Sequence, residues 1–112
     1  MDITTNPHPA DTRLRLAPDV RAEEVLRVAL DLAVKYDPDH ITRAMIAAGA
    51  GVSPGTVSKY MGTMQQCREK LVEEAIKRQI VPLVAWGIFK RYRAARKVRG
   101  DLREKAEAYM KG

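Results

Sequence analysis

The chain has 112 residues, with 20 Lys/Arg against 14 Asp/Glu for a formal net charge of +6, and its 46% apolar content includes one Phe and one Trp. That length supports a single small domain, and so few aromatics suit helices better than a β-sandwich. One cysteine, Cys67, excludes an internal disulfide framework or a cysteine-based zinc site, MDITTNPHPAD is unlike a secretion signal, and the apolar stretch 80–89 falls short of the ~20 residues of a membrane span, so a cytoplasmic protein without membrane partners is expected.

Residues 1–17 are polar and proline-punctuated and read as a flexible arm carrying Arg13 and Arg15. From residue 19 to 36, Ala22, Val25, Leu26, Ala29, Leu32, Ala33 and Tyr36 recur at three- and four-residue intervals, which predicts a first helix with one apolar face. Pro38 in DPDH ends it, because proline lacks an amide hydrogen and disfavours helix at the preceding residue. Thr42 is placed to cap a short second helix through Ile46 and Ala47 that runs into Gly49 and Gly51.

The stretch AGVSPGTVSKYMG, residues 50–62, then reads as a tight turn and a third helix. Gly51 tolerates positive φ, Val52 turns back to the core, Ser53 is an N-cap and Pro54 suits the first helical position. Steps of 100° put Val57 and Met61 inward and Gly55, Thr56 and Lys59 outward, with Ser58 and Tyr60 on the flanks. Gly62 ends this helix, and Thr63 with Gln66 forms a capping box that opens a fourth helix to about residue 79. Two short helices joined by a glycine turn make a helix-turn-helix. Eight residues of helix span ~12 Å, comparable to the major groove of B-form DNA. No acid lies between Arg43 and Lys59 to repel phosphate.

The run TRAMIAAGAGVSPGTVSKYMGT, residues 42–63, resembles the DNA-binding helix-turn-helix of the tetracycline-repressor (TetR) family, through Ile46-Ala47, Ala50-Gly51-Val52-Ser53, Gly55-Thr56, Tyr60 and Gly62. The first helix, with Val25-Leu26 and Ala29-Leu30-Asp31-Leu32, is similar too, so the likeness covers about residues 19–79. It implies an all-α fold: a three-helix TetR-like head, a fourth helix and, in this chain, short C-terminal helices. It also implies a homodimer on an inverted-repeat operator in double-stranded DNA, usually acting as a transcriptional repressor. By this resemblance Pro54, Gly55, Thr56, Ser58, Lys59 and Tyr60 face DNA, with Ser53 at their cap and Thr42 and Arg43 near the phosphates. Ser58 stands where the family has an aromatic residue and Met64 where a phosphate-binding lysine is common, so these contacts are expected to be redistributed. Only 33 residues follow Gln79, and no small-molecule inducer pocket is expected.

The excess charge lies in that last segment. Residues 1–79 hold 11 basic and 11 acidic residues, whereas residues 80–112 hold 9 and 3, a bias suited to a polyanion or to a solvated face. Residues 80–89 are apolar all round, so a helix there needs cover that one head is not expected to supply. A dimer seam of Ile80, Leu83, Val84, Trp86, Ile88 and Phe89, joined by Val72 and Ile76 of the fourth helix, is the expectation; the alternative folds this segment onto its own head. Tyr92 and Ala95 continue the buried stripe, Arg91, Arg93, Arg96, Lys97 and Arg99 stay wet, and Asp101 with Glu104 caps a last helix to about residue 110.

The predicted organisation is an arm at 1–17, a DNA-binding domain at 18–79 and a dimerisation and basic segment at 80–112. His40 with Asp37 and Asp39 lacks metal-ligand spacing and reads as a solvated loop, while Cys67 reads as a buried small residue far in sequence from His8 and His40. Neither catalysis, nor a metal, nor a cofactor is expected. Two other functions fit the same residues: a DNA-binding module in replication, partition or packaging, and a helical interaction or membrane-surface protein using Trp86 and Phe89 as an anchor.

Overall fold

The computed structural model describes residues 18–112, and the arm with Arg13 and Arg15 lies outside the described residues. The described fold is all-α. Its helices are α1 (Pro18–Tyr36), α2 (Arg43–Ala50), α3 (Pro54–Met61), α4 (Met64–Arg78), α5 (Val81–Phe89) and α6 (Gly100–Lys111), with a 3-10 turn at Ala94–Lys97 before α6.

The helix ends follow from local chemistry. Thr42 Oγ1 accepts from the Met45 amide at 3.1 Å, Ser53 Oγ from the Thr56 amide at 3.2 Å, and Thr63 and Gln66 form the reciprocal capping box. Gly51 terminates α2 at φ 69°. Three other helix ends use a left-handed residue that is not glycine: Asp37 after α1, Gln79 after α4 and Arg91 near the end of α5. The last helix departs from expectation. Arg99 is its N-cap residue and no side chain caps it, because Asp101 already lies in the first turn, where it pairs with Lys105 at 3.1 Å.

The core is one cluster drawn from every helix. Val25, Ala29 and Ala33 of α1 meet Ile46 and Ala47 of α2, Val57 and Met61 of α3, and Cys67, Leu71 and Ala75 of α4. Helices α1 and α4 lie close enough for Arg78 to pair with Glu23 at 2.6 Å. Two glycines permit close approach. A Cβ on Gly49 of α2 would sit 2.7 Å from Val28 Cγ1, and one on Gly87 of α5 would sit 2.8 Å from Val72 Cγ1.

That second contact corrects the sequence-based reading of α5. Val72, Leu83 and Val84 are at most 2% exposed within one chain, so the head does cover the apolar helix. The cover comes from α4 and α1 on one side and α6 on the other, with Ala106 of α6 fully buried. Ile76, Ile80, Trp86 and Ile88 are half-buried, and Phe89 alone of the expected seam stands out in solvent, at 69% exposure. Val72 therefore packs under α5 against Gly87, and Ile76 and Ile80 lie half-buried against the core rather than on a second exposed surface.

Candidate nucleic-acid interface

The short turn between α2 and α3 hydrogen-bonds onto the end of α2. The Gly51 and Val52 amides donate to the carbonyls of Ala48 and Ala47 at 3.3 and 3.0 Å, and Val52 packs against the core. Ser53 then starts α3, and its hydroxyl also meets the Thr56 hydroxyl at 3.0 Å, which fixes both side chains at the exposed entrance of the helix.

Val57 and Met61 anchor α3 in the core, so its opposite face is turned outward. Pro54, Gly55 and Lys59 are exposed, and Thr56 and Ser58 half-exposed. A Cβ on Gly55 would meet only Ser53 Oγ, at 3.8 Å, so nothing inside the chain requires glycine there and its effect is a shallow outer surface. Lys59 Nζ lies 5.6 Å from the centre of the Tyr60 ring. Tyr60 is half-buried against the core and its carbonyl accepts from Lys70 Nζ at 2.8 Å, so it offers less free surface than its neighbours.

The entrance to α2 supplies a second set of donors. Thr42 is exposed and Arg43 half-buried, with Arg43 Nε enclosed and without a hydrogen-bond partner. Residues 40–68 contain no Asp or Glu, so the whole helix-turn-helix is free of fixed negative charge. Arg68 and Lys70, both absent from the expected set, border it on α4; Arg68 Nε donates to the Pro38 carbonyl at 3.0 Å.

The DPDH loop is more than a solvated connection. Pro38 is buried, and Asp39 Oδ2 accepts from Trp86 Nε1 at 3.4 Å and pairs with Lys90 Nζ at 3.0 Å. The Lys90 ammonium holds the Asp39 carboxyl below its ordinary range, with the Trp86 donor adding to the effect. His40 Nδ1 lies 3.8 Å from Asp37 Oδ2, and among the described residues no cluster has a metal-binding arrangement. Cys67 is buried, and desolvation pushes its thiol pKa up, the opposite of an activated nucleophile.

Beyond this face, five of the large exposed apolar side chains border one open cleft between the end of α1, α5 and the end of α6: Val34, Tyr36, Phe89, Tyr109 and Met110. Of these only Phe89 belonged to the expected seam. Tyr109 and Met110 carried a readable signal, since two large apolar residues at a charged helix end leave few places to bury. No helix among the described residues is long and apolar enough to cross a membrane. No protein family, curated protein or solved structure matches this chain.

Proposed function

We propose that this protein is a sequence-specific DNA-binding transcriptional regulator, a homodimeric repressor acting on an inverted repeat, with α3 as its recognition helix. The observation that carries the reading is the outer face of α3: Gly55, Thr56 and Lys59 form a shallow hydrogen-bonding and cationic surface in a stretch without acids. A helix so faced can approach base edges in the major groove, while Thr42 and Arg43 at the start of α2 are positioned for the flanking phosphates. The TetR-like sequence pattern at residues 42–63 supports the same reading.

The dimer in this proposal uses the cleft edged by Val34, Tyr36, Phe89, Tyr109 and Met110, because Val72, Leu83 and Val84 are already spent on the chain's own core. The occupant is a second copy. One recognition helix of eight residues makes few contacts, and two related by a dyad read half-sites about one helical turn apart. Membrane anchoring through Trp86 is disfavoured, since its indole nitrogen donates to Asp39 and its ring packs edge-on against Tyr92 at 5.0 Å.

Selection of bound duplexes from a random pool tests the function. An enriched inverted repeat, lost or weakened by about tenfold or more in Lys59→Ala, is expected, as removal of one good base contact costs ~1–3 kcal/mol. Enrichment of no sequence by the folded wild type would overturn the reading.

A further inference from the structure

Among the described residues some cations pair with carboxylates and others, Lys59, Arg68 and Lys70 beside the helix-turn-helix among them, do not. Arg27, Lys77, Arg78, Arg103 and Lys105 each lie within 4.0 Å of a carboxylate, on α1, the end of α4 and α6. Arg91, Arg93, Arg96 and Lys97 are exposed and have no such partner among the described residues. Apart from Lys90, which pairs with Asp39, the cations of the segment between α5 and α6 stand without a carboxylate partner among the described residues.

That segment is held in a fixed place. Lys90 is tied to Asp39, the Tyr92 ring packs edge-on against Trp86, and Ala95 is buried against the α4–α5 packing beside Gly87. The Tyr92 amide closes the turn on the Gly87 carbonyl at 2.9 Å, with Arg91 in the left-handed region at φ 63°. The result is a groove of about 840 Å³ between the segment and the outer face of α4, where Gln65, Glu69 and Glu73 stand. Its lining holds six cations, Lys77, Lys90, Arg91, Arg93, Arg96 and Lys97, against two carboxylates.

Gln65 lies in the first turn of α4, immediately after the end of α3. The groove that the basic segment lines therefore reaches the turn joining α3 to α4. We infer that Arg91, Arg93, Arg96 and Lys97 form a second, sequence-independent phosphate-binding site that grips the DNA backbone beside the groove occupied by α3. The inference rests on the helix-turn-helix reading for its duplex. Four side chains on a turn pinned by Tyr92 and Ala95 fit a backbone contact, because phosphates require charge and reach but no donor–acceptor pattern.

The test is the salt dependence of binding. Each phosphate neutralised contributes ~0.9 to the slope of log K against log salt. The variant R91Q/R93Q/R96Q/K97Q, measured on the selected duplex, should flatten that slope by about 2 to 4 per protomer and bind less tightly to every sequence, while preferring the same bases. Arg91→Gly is the folding control, since glycine accepts positive φ: it should melt no lower than wild type and still lose about one unit of slope. An unchanged slope in the quadruple variant, with sequence selection intact in the wild type, overturns the phosphate site and leaves the recognition helix standing. A flattened slope in a protein that selects no sequence overturns the recognition helix and leaves the phosphate site standing. Retention of full DNA affinity by the quadruple variant together with loss of binding to an acidic polypeptide would assign the segment to a protein partner and overturn the inference.

Discussion

Trp86 of α5 donates its indole N–H to Asp39 in the loop between α1 and α2, across 47 residues of sequence and 3.4 Å of space. Lys90 reaches the same carboxylate oxygen at 3.0 Å, so one acid ties the C-terminal segment to the base of the helix-turn-helix. The sequence places these residues in separate units, and the fold makes them one joint.

This joint should loosen in acid. Hydrogen bonding from Lys90, assisted by Trp86, lowers the Asp39 pKa in the folded state. A lowered folded pKa stabilises above the unfolded value, ~3.9 for Asp, and that stabilisation disappears as pH falls through the folded value. The melting temperature of the wild type should therefore decline between about pH 4 and pH 2 more than that of Asp39→Asn, which should be lower than wild type at neutral pH. Parallel acid limbs in thermal melts of the two proteins would refute the role given to Asp39.

Glycine substitutions separate packing from function. Gly87→Ala places a Cβ 2.8 Å from Val72 Cγ1, in a contact walled by Ala95, and should destabilise by about 1–3 kcal/mol despite the better helix propensity of alanine. Gly55→Ala makes only an ordinary contact, with Ser53 Oγ at 3.8 Å, and should gain up to ~1 kcal/mol, yet weaken DNA binding by thickening the outer face of α3. Urea unfolding of both variants, with binding measured on Gly55→Ala, checks the pair. Equal stability changes would remove the distinction.

Most of the local fold was legible. Thr42, Ser53, Thr63 and Gly51 act as caps and terminators because those signals depend on a few adjacent backbone groups and need no tertiary partner. What could not be read was the destination of α5. An all-round apolar helix states that it is covered, and whether by its own chain or a second copy depends on the close approach of Gly87 to Val72, a long-range fact. Glycine inside an apolar helical pattern was the available clue, at both Gly49 and Gly87. For the candidate interface, outward Gly55 and Lys59 follow from helical period, whereas the alignment of the basic segment beside Gln65 depends on the reversal at Arg91.

Cys67 should report on unfolding. It is buried within the head, and desolvation raises its thiol pKa, so both access and thiolate population disfavour attack. A thiol reagent at pH 8 should modify the native protein at least about a hundredfold more slowly than the urea-unfolded chain. Rapid stoichiometric labelling under native conditions would show that α4 does not seal this position.

Phe89 and Tyr109 should govern self-association. Phe89 is 69% exposed and Tyr109 56% exposed, and both edge the cleft that also receives Tyr36 and Met110, so an isolated chain leaves several large apolar side chains in water. Burying aromatic side chains against a second copy removes that cost, and truncating such an anchor weakens an interface by ~2 kcal/mol, about thirtyfold in dissociation constant. Neither residue is buried in the chain's core, so Phe89→Glu and Tyr109→Ser should keep the helical content and melting behaviour of the wild type. Trp86→Ala is unsuited to this purpose, because it also breaks the bond to Asp39. Light scattering after gel filtration at micromolar concentration should give about twice 12.5 kDa for the wild type and close to 12.5 kDa for the double variant, with specific binding to a symmetric duplex reduced alongside. A wild type that runs as a monomer would refute the dimer. A folded, monomeric double variant that held the inverted repeat as tightly as wild type would refute its contribution to recognition.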